Sequence, residues 1–181
     1  MALADWYEGY EAHFDDRGER KARNPQGKTS NAARAQNRLN ARVNRQELAR
    51  ENILFVMKRL PETTSVQEYV DWLKACITQG VQIDENCDVH LEFSRSGKKA
   101  GGQNVNKVSS AARCIHNVTG IFVRNDETRD QFRNRANAFE LLKDNVRDHV
   151  NDWKTFLEIR SAVDNSNLDR LTVDLVNSFL P

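Results

Sequence analysis

Between residues 97 and 107 the chain reads GKKAGGQNVNK, with three glycines, three lysines, one glutamine, no acidic residue and no nucleophile. Gly101 and Gly102 allow backbone angles that residues with a Cβ avoid, and they let the main chain come close to a ligand. Gln103 adds a backbone N–H, an amide donor and an amide acceptor. That set suits an oxyanion hole or a water-positioning site, where donors face charge that develops during reaction. Lys98, Lys99 and Lys107 would hold a polyanion around it. The plain alternative is a glycine-rich hairpin tip with solvated lysines.

Other chemistries are poorly represented. The four histidines are His13, His90, His116 and His149, and none stands beside a Gly-flanked serine. No paired-carboxylate motif stands out. Cys87, His90, Cys114 and His116 could supply four zinc ligands, but the spacing is not that of a zinc knuckle. A buried cysteine and a hydrogen-bonded core histidine explain Cys114 and His116 equally, so no metal is expected. Gly27-Lys28-Thr29 ends like a phosphate loop, yet Ala22 stands where the pattern needs glycine and no strand precedes it.

The elements that must carry the loop follow from periodicity. DVHLEFS alternates, with Val89, Leu91 and Phe93 on one face, and predicts a half-buried strand before the loop. NVNKVSSAARC suits a short helix or turn. RCIHNVTGIFVRN predicts two short strands joined by a turn at 117–120. A long helix is expected from about 128 to 163, with Phe132, Ala136, Phe139, Leu142, Val146, Trp153 and Leu157 as its apolar stripe. Before the sheet, a helix over about 30–60 is stopped by Pro61. Ser65 with Glu68 forms a capping box opening a helix that turns Tyr69, Trp72, Leu73, Cys76 and Ile77 to a core and ends at Gly80. Leu168, Leu171, Leu175 and Phe179 mark a last amphipathic helix. Trp6, Tyr7, Tyr10 and Phe14 predict a short aromatic helix, followed by a basic linker. The whole is an α+β fold: a small mixed β-sheet packed on a long α-helix, with helical extensions at both ends. The expected organisation is a helical basic extension over 1–85, a catalytic domain over 86–160 and a C-terminal helix over 161–181.

Charge is unevenly spread. The 181 residues carry a net charge of only +1, with 39% apolar and 29% charged residues. Residues 17–50, however, hold ten Lys/Arg against two Glu, and residues 93–125 hold six basic residues and no acid. Residues 140–181 hold eight acids and five bases. Two basic segments suggest that part of the molecule binds a polyanion. Arg34, Arg38, Arg42 and Arg45 advance in steps of four, four and three, which sets them on one helix face as candidate RNA contacts. The competing reading is a solvated helix face. Three cysteines argue against a disulfide scaffold and for a reducing compartment. No apolar run approaches the length of a membrane span. The start resembles neither a signal peptide nor a transit peptide, so a cytoplasmic location is expected ahead of a mitochondrial matrix.

The flanks of the glycine loop narrow the field. RSGKKAGGQNVNKVSSAARCIHNVTGI, followed by ETRDQFRNRANAFELL, closely resembles the catalytic domain of class I peptide-chain release factors and their ribosome-rescue relatives. The residues that match are Arg95, Gly101, Gly102, Gln103, Asn106, Lys107, Ser110, Ala111, Arg113, His116, Thr119, Gly120, Arg129, Gln131, Asn134, Arg135 and Ala138. The resemblance implies hydrolysis of the ester joining nascent peptide to tRNA in the ribosomal peptidyl-transferase centre. The Gln103 backbone N–H would donate to the developing charge, and its side chain would admit water and refuse bulkier nucleophiles. Arg95, Lys98, Lys99, Lys107 and Arg113 would meet RNA. Ribosome, ribosomal RNA and peptidyl-tRNA are the implied partners, with no membrane and no cofactor. A dedicated glutamine methyltransferase would N5-methylate Gln103. SGKKA, between Arg95 and Gly101, departs from the family pattern by one extra residue and a lysine pair, which would shift the tip or add phosphate contacts.

Within that family a stop-codon reader needs a separate decoding domain bearing a Pro-x-Thr or Ser-Pro-Phe tripeptide, and a much longer chain. None is read here, so codon-independent rescue of stalled ribosomes is the expected activity. The small rescue hydrolases of the family carry a basic C-terminal tail. This C-terminus is acidic, and the basic segment precedes the catalytic domain instead. The alternative is a non-hydrolytic ribosome-binding or structural protein that keeps the fold.

Overall fold

The computed structural model describes residues 31–95, 110–159 and 165–180, with side chains for residues 35–95, 110–159 and 166–180. The expected aromatic helix and linker before residue 31 lie outside the described residues. So do Asn104 to Ser109 of the segment expected as a short helix or turn. By contact density the chain forms two compact units, Met1–Asn40 and Ala41–Pro181. The elements are α1 (Asn31–Met57), α2 (Val66–Gln79), β1 (Val89–Ser94), β2 (Ala111–His116), β3 (Phe122–Asn125), α3 (Gln131–Leu157), α4 (Asn165–Leu168) and α5 (Val173–Asn177).

Residues 31–40 of the first unit are helical, and Gln36 donates to Asn40 Oδ1 at 2.9 Å. In the second unit α1 buries Ala49, Ile53 and Met57, a stripe spaced by fours. Pro61 lies four residues beyond the helix end. Ser65 caps α2 as the sequence predicts, its hydroxyl accepting the Glu68 N–H at 3.1 Å. Tyr69, Leu73, Cys76 and Ile77 are buried along α2, and Gly80 closes it at φ 90°.

The three strands form one sheet in the order β1-β2-β3. Both pairings are antiparallel, where a mixed sheet was expected. β1 and β2 are joined by a connection that reverses the chain, and β2 and β3 by the short 117–121 turn, so no crossover arises. β2 begins at Ala111, two residues before its predicted start; Ala111 and Ala112 are both fully buried and pair with Ser94 and Phe93 of β1. Val89 is buried, Leu91 partly so, and Phe93 is 43% exposed. The expected alternation therefore fades along this edge strand.

Asp130 caps α3, its carboxylate accepting from Phe132 N and Arg133 N. The helix buries Asn134, Ala138, Leu142, Val146, His149, Val150, Trp153 and Leu157. Phe132 is 79% exposed and Ala136 is exposed, so the first turns of the predicted stripe are corrected. A polar residue, Asn134, occupies the position from which that stripe runs. At 27 residues α3 is about 40 Å long. Its first half covers the sheet through Ala138, Leu142 and Val146. Its second half joins α1, α2 and the C-terminal segment through Val150, Trp153 and Leu157.

The predicted last helix is two short ones. Thr172 accepts from Leu175 N and caps α5, so the chain turns between α4 and α5. Leu171, Val176 and Phe179 are buried in one cluster with Val150, Trp153 and Leu157, and Phe179 lies 5.1 Å from Trp153 between ring centroids.

Candidate functional site

The Gly101-Gly102-Gln103 tripeptide lies in the connection between β1 and β2. Residues 96–109, and with them Lys98, Lys99 and Lys107, lie outside the described residues. What the structure describes is the mount.

Ser94 pairs with Ala111, so the two ends of the connection leave from neighbouring positions on one antiparallel ladder. Each end is also held by a side chain from another element. Arg124 of β3 donates from Nη2 to the Arg95 carbonyl at 3.0 Å. Asn134 of α3 donates from Nδ2 to the Ser110 carbonyl at 2.8 Å. The same amide donates to the Thr128 carbonyl at 2.9 Å, while its Oδ1 accepts from Thr128 N and Oγ1 at 3.0 and 2.9 Å. Asn134 is wholly buried, and both its donors and its acceptor oxygen are engaged. The Ser110 carbonyl would otherwise be a buried acceptor at the root of the loop.

The outward face of the sheet is charged. Glu92, Arg113 and Arg124 lie in register across the three strands. Arg113 donates from Nη1 to Glu92 at 3.2 Å, and its guanidinium lies 4.3 Å from the Phe122 ring centroid. Arg124 has Asp126 at 3.9 Å. Arg95 is exposed at the loop root. Arg95, Arg113 and Arg124 thus bring three cations to the sheet beside the loop. Arg124 carries no role in the sequence reading; its register opposite Arg113 is what reveals it.

The other basic candidates divide. Arg34 lies in α1, with its side chain outside the described residues, and Arg38 is exposed on the same helix. Arg45 donates to its own helix at the Ala41 carbonyl, 3.1 Å. Arg42 forms a two-pronged ion pair with Glu158, with Nε 2.7 Å from Oε1 and Nη2 close to Oε2. That contact holds the Arg42 guanidinium above its usual pKa and the Glu158 carboxyl below its own, first through the hydrogen bond between them.

The four candidate zinc ligands do not converge. Cys114 and His116 face α3, while His90 pairs with Ile115 on the opposite sheet face. His116 Nδ1 shares a 2.9 Å hydrogen bond with Thr119 Oγ1 instead. Among the described residues no group of three or more His, Cys, Asp or Glu gathers as a metal site. No helix among them is long and apolar enough to cross a membrane.

A Pro-x-Thr string does occur, at Pro61-Glu62-Thr63, contrary to expectation. It is the link between α1 and α2. Thr64 N–H donates to the Pro61 carbonyl at 3.0 Å. The Pro61 ring lies 3.2 Å from where a Cβ on Gly120 would stand. The tripeptide is therefore a turn seated against the β2–β3 connection.

A family model described as the RF-1 domain matches residues 77–169. Peptide chain release factor 1 of Leuconostoc citreum is 54% identical over 61 residues, which is 34% of this chain and 17% of that protein. Peptide chain release factor 1 of Limosilactobacillus reuteri is 40% identical over 91 residues, covering 50% of this chain and 23% of the relative. Peptide chain release factor 2 of Helicobacter pylori is 46% identical over 63 residues, or 35% and 17% of the two chains. The chain thus spans less than a quarter of the length of each of these relatives.

Proposed function

The chain belongs to the class I peptide-chain release factor family, and we propose that it hydrolyses the peptidyl-tRNA ester on stalled ribosomes without reading a codon. The observation that carries this reading is the mount of the loop. Ser94 and Ala111 pair, Arg124 holds the Arg95 carbonyl, and Asn134 holds the Ser110 carbonyl. A Gly-Gly-Gln tip on such a base can enter a narrow site as a unit while its own backbone remains able to approach the ester.

In this reading the Gln103 N–H donates to the oxyanion as water adds, and its side chain limits which nucleophile enters. Gly101 and Gly102 permit the approach. Ribosomal RNA and the substrate supply what the protein lacks, since no side chain of the loop is a general base. The cations Arg95, Arg113 and Arg124 would lie against RNA beside the tip. N5-methylation of Gln103 by a dedicated methyltransferase fits the same role. The codon-independent part is supported by the place of Pro61-Glu62-Thr63 in the α1–α2 link, where the Pro61 ring lies against Gly120 while Glu62 and Thr63 are exposed. The basic residues of α1 would add RNA contacts of their own. A non-hydrolytic ribosome-binding role has no specific observation in its favour.

The test uses ribosomes holding peptidyl-tRNA, with the A site either empty of mRNA or filled. The protein should release peptide in single turnover on the empty complex, with no preference for a stop codon on the filled one. Gly102→Ala should lower the rate at least ~100-fold, the scale for losing one oxyanion-hole contact, while ribosome binding persists. Full turnover by Gly102→Ala would sink the oxyanion role. Release that requires a stop codon would sink the rescue reading.

A further inference from the structure

Where α1 passes the end of α3, within the second unit, there is an open cleft of about 460 Å³. Arg42, Arg45 and Lys154 bring three cations to it, and Gln46, Asn151 and Thr155 bring neutral hydrogen-bonding groups. Its one carboxylate is Glu158. Glu158 takes Arg42 in a fork, accepts Gln46 Nε2 at 2.7 Å, and remains half-exposed with its partner. A guanidinium that meets two carboxylate oxygens this way can meet two phosphate oxygens in the same geometry. An exposed pair of this kind holds weakly, so an incoming anion can replace it.

The backbone under Glu158 is unusual. It is the C-cap of α3 at φ 60° and ψ 29°, the one non-glycine residue with positive φ among the described residues. Gly or Asn is the ordinary occupant of that conformation. The glutamate therefore stands where the backbone alone would favour another residue, and its side chain is directed at the cations of the cleft.

We propose that this cleft is a binding site for an RNA backbone phosphate, in which the Glu158 carboxylate is the resident anion that RNA displaces. The inference rests on the reading of the protein as one that binds ribosomal RNA, and adds to it a site on α1 and α3 together, with Lys154 as a contact and Glu158 as the internal competitor. Displacement leaves Glu158 free to turn to solvent, so the site binds only what can supply at least the charge it loses.

The experiment measures binding of a labelled short oligouridylate to the full chain as a function of salt, with no ribosome and no ester present. Glu158→Gln should tighten binding about fourfold near physiological salt and steepen the log–log salt slope by about 0.7, the value for one added phosphate contact to single-stranded RNA. Glu158→Asn, which suits the left-handed backbone, should do the same with melting temperature held. Arg45→Gln with Lys154→Gln should weaken binding about tenfold by the same relation. Unchanged or weaker RNA binding in both Glu158 variants would reduce Glu158 to a clamp between α1 and α3 and overturn the proposal. Equal binding of an uncharged methylphosphonate oligomer would also overturn it. So would tighter binding of a polyglutamate peptide than of RNA. A protein inactive on peptidyl-tRNA that passes this test would refute the proposed function and leave the site standing.

Discussion

Asn134 is the residue on which the loop mount depends most. One buried amide serves the Ser110 carbonyl, the Thr128 carbonyl, and the Thr128 N–H and hydroxyl. Asn134→Leu would fill the space and leave those groups without their partner. Unpaired buried polar groups cost about 1–3 kcal/mol each, and partial relaxation keeps the total near 3 kcal/mol. Urea unfolding should show that loss, whereas Arg124→Ala, at an exposed contact, should cost less than about 1 kcal/mol. A loss below 1 kcal/mol for Asn134→Leu would mean the root of the loop is held by the strand ladder alone. Asn134 was recognisable as part of a motif, but a polar residue inside an apolar stripe gives periodicity no reason to place it in the core. The predicted stripe therefore started from Phe132, which is exposed.

Among the elements, the turn between β2 and β3 does more than reverse the chain. Gly120 has φ +69°, and a Cβ there would lie 2.5 Å from the Arg59 carbonyl and 3.2 Å from the Pro61 ring. Thr119 is fully buried on His116, Asn117 donates from Nδ2 to the Cys87 carbonyl at 3.0 Å, and Trp72 lies 5.2 Å from the His116 ring. The turn thus joins the sheet to the α1–α2 link. Gly120→Ala combines a disfavoured backbone with a clash against main chain, and should cost roughly 2–4 kcal/mol in urea unfolding. A variant as stable as the parent would show that the link can withdraw freely. The turn itself was legible as Thr119-Gly120 between two alternating runs. Its docking partner was not, because Arg59 is sixty-one positions away in the chain. Likewise the C-terminal apolar residues were legible, but the Thr172 cap that breaks them into two short helices was not.

Over the whole molecule, α3 ties two apolar clusters, and buried polar groups lie where they meet. Trp153 Nε1 donates to the Tyr69 hydroxyl at 2.8 Å, and that hydroxyl lies 2.6 Å from His149 Nε2. Placing the Tyr69 proton toward His149 leaves one unpaired site, the buried His149 Nδ1; the reverse leaves two. His149 is therefore neutral with its proton on Nδ1. Burial, aided by His116, lowers its pKa to about 3, and burial lowers that of His116 to about 4 against the opposing pull of Asp88. An unfolded histidine titrates near 6.5, so below that pH the unfolded chain binds protons the folded one refuses, and stability is lost as the pH falls. Asp152 acts oppositely: burial raises it to about 6, offset by Asn52 and reinforced by Asp148, so the folded state gains a proton there. Near pH 5 two histidines against one aspartate leave a net slope of about one proton. Urea unfolding across about pH 4.5 to 7 should show it, steepened to about two protons by Asp152→Asn and flattened by His149→Gln. A slope that Asp152→Asn does not change would remove Asp152 from the balance.

The α+β class, the order of elements and the capping of α2 were set by local chemistry, and so were readable from the sequence. Period, caps, proline and glycine act within a few residues of themselves, and the loop motif is contiguous. Only the tertiary structure decided that the sheet is antiparallel throughout, that Asn134 and Arg124 hold the two ends of the loop, and that Arg42 faces Glu158. Those facts depend on residues 24, 29 and 116 positions apart. Whether a cation is free for RNA depends on which carboxylate folding brings to it, and helix periodicity shows only the face on which it stands.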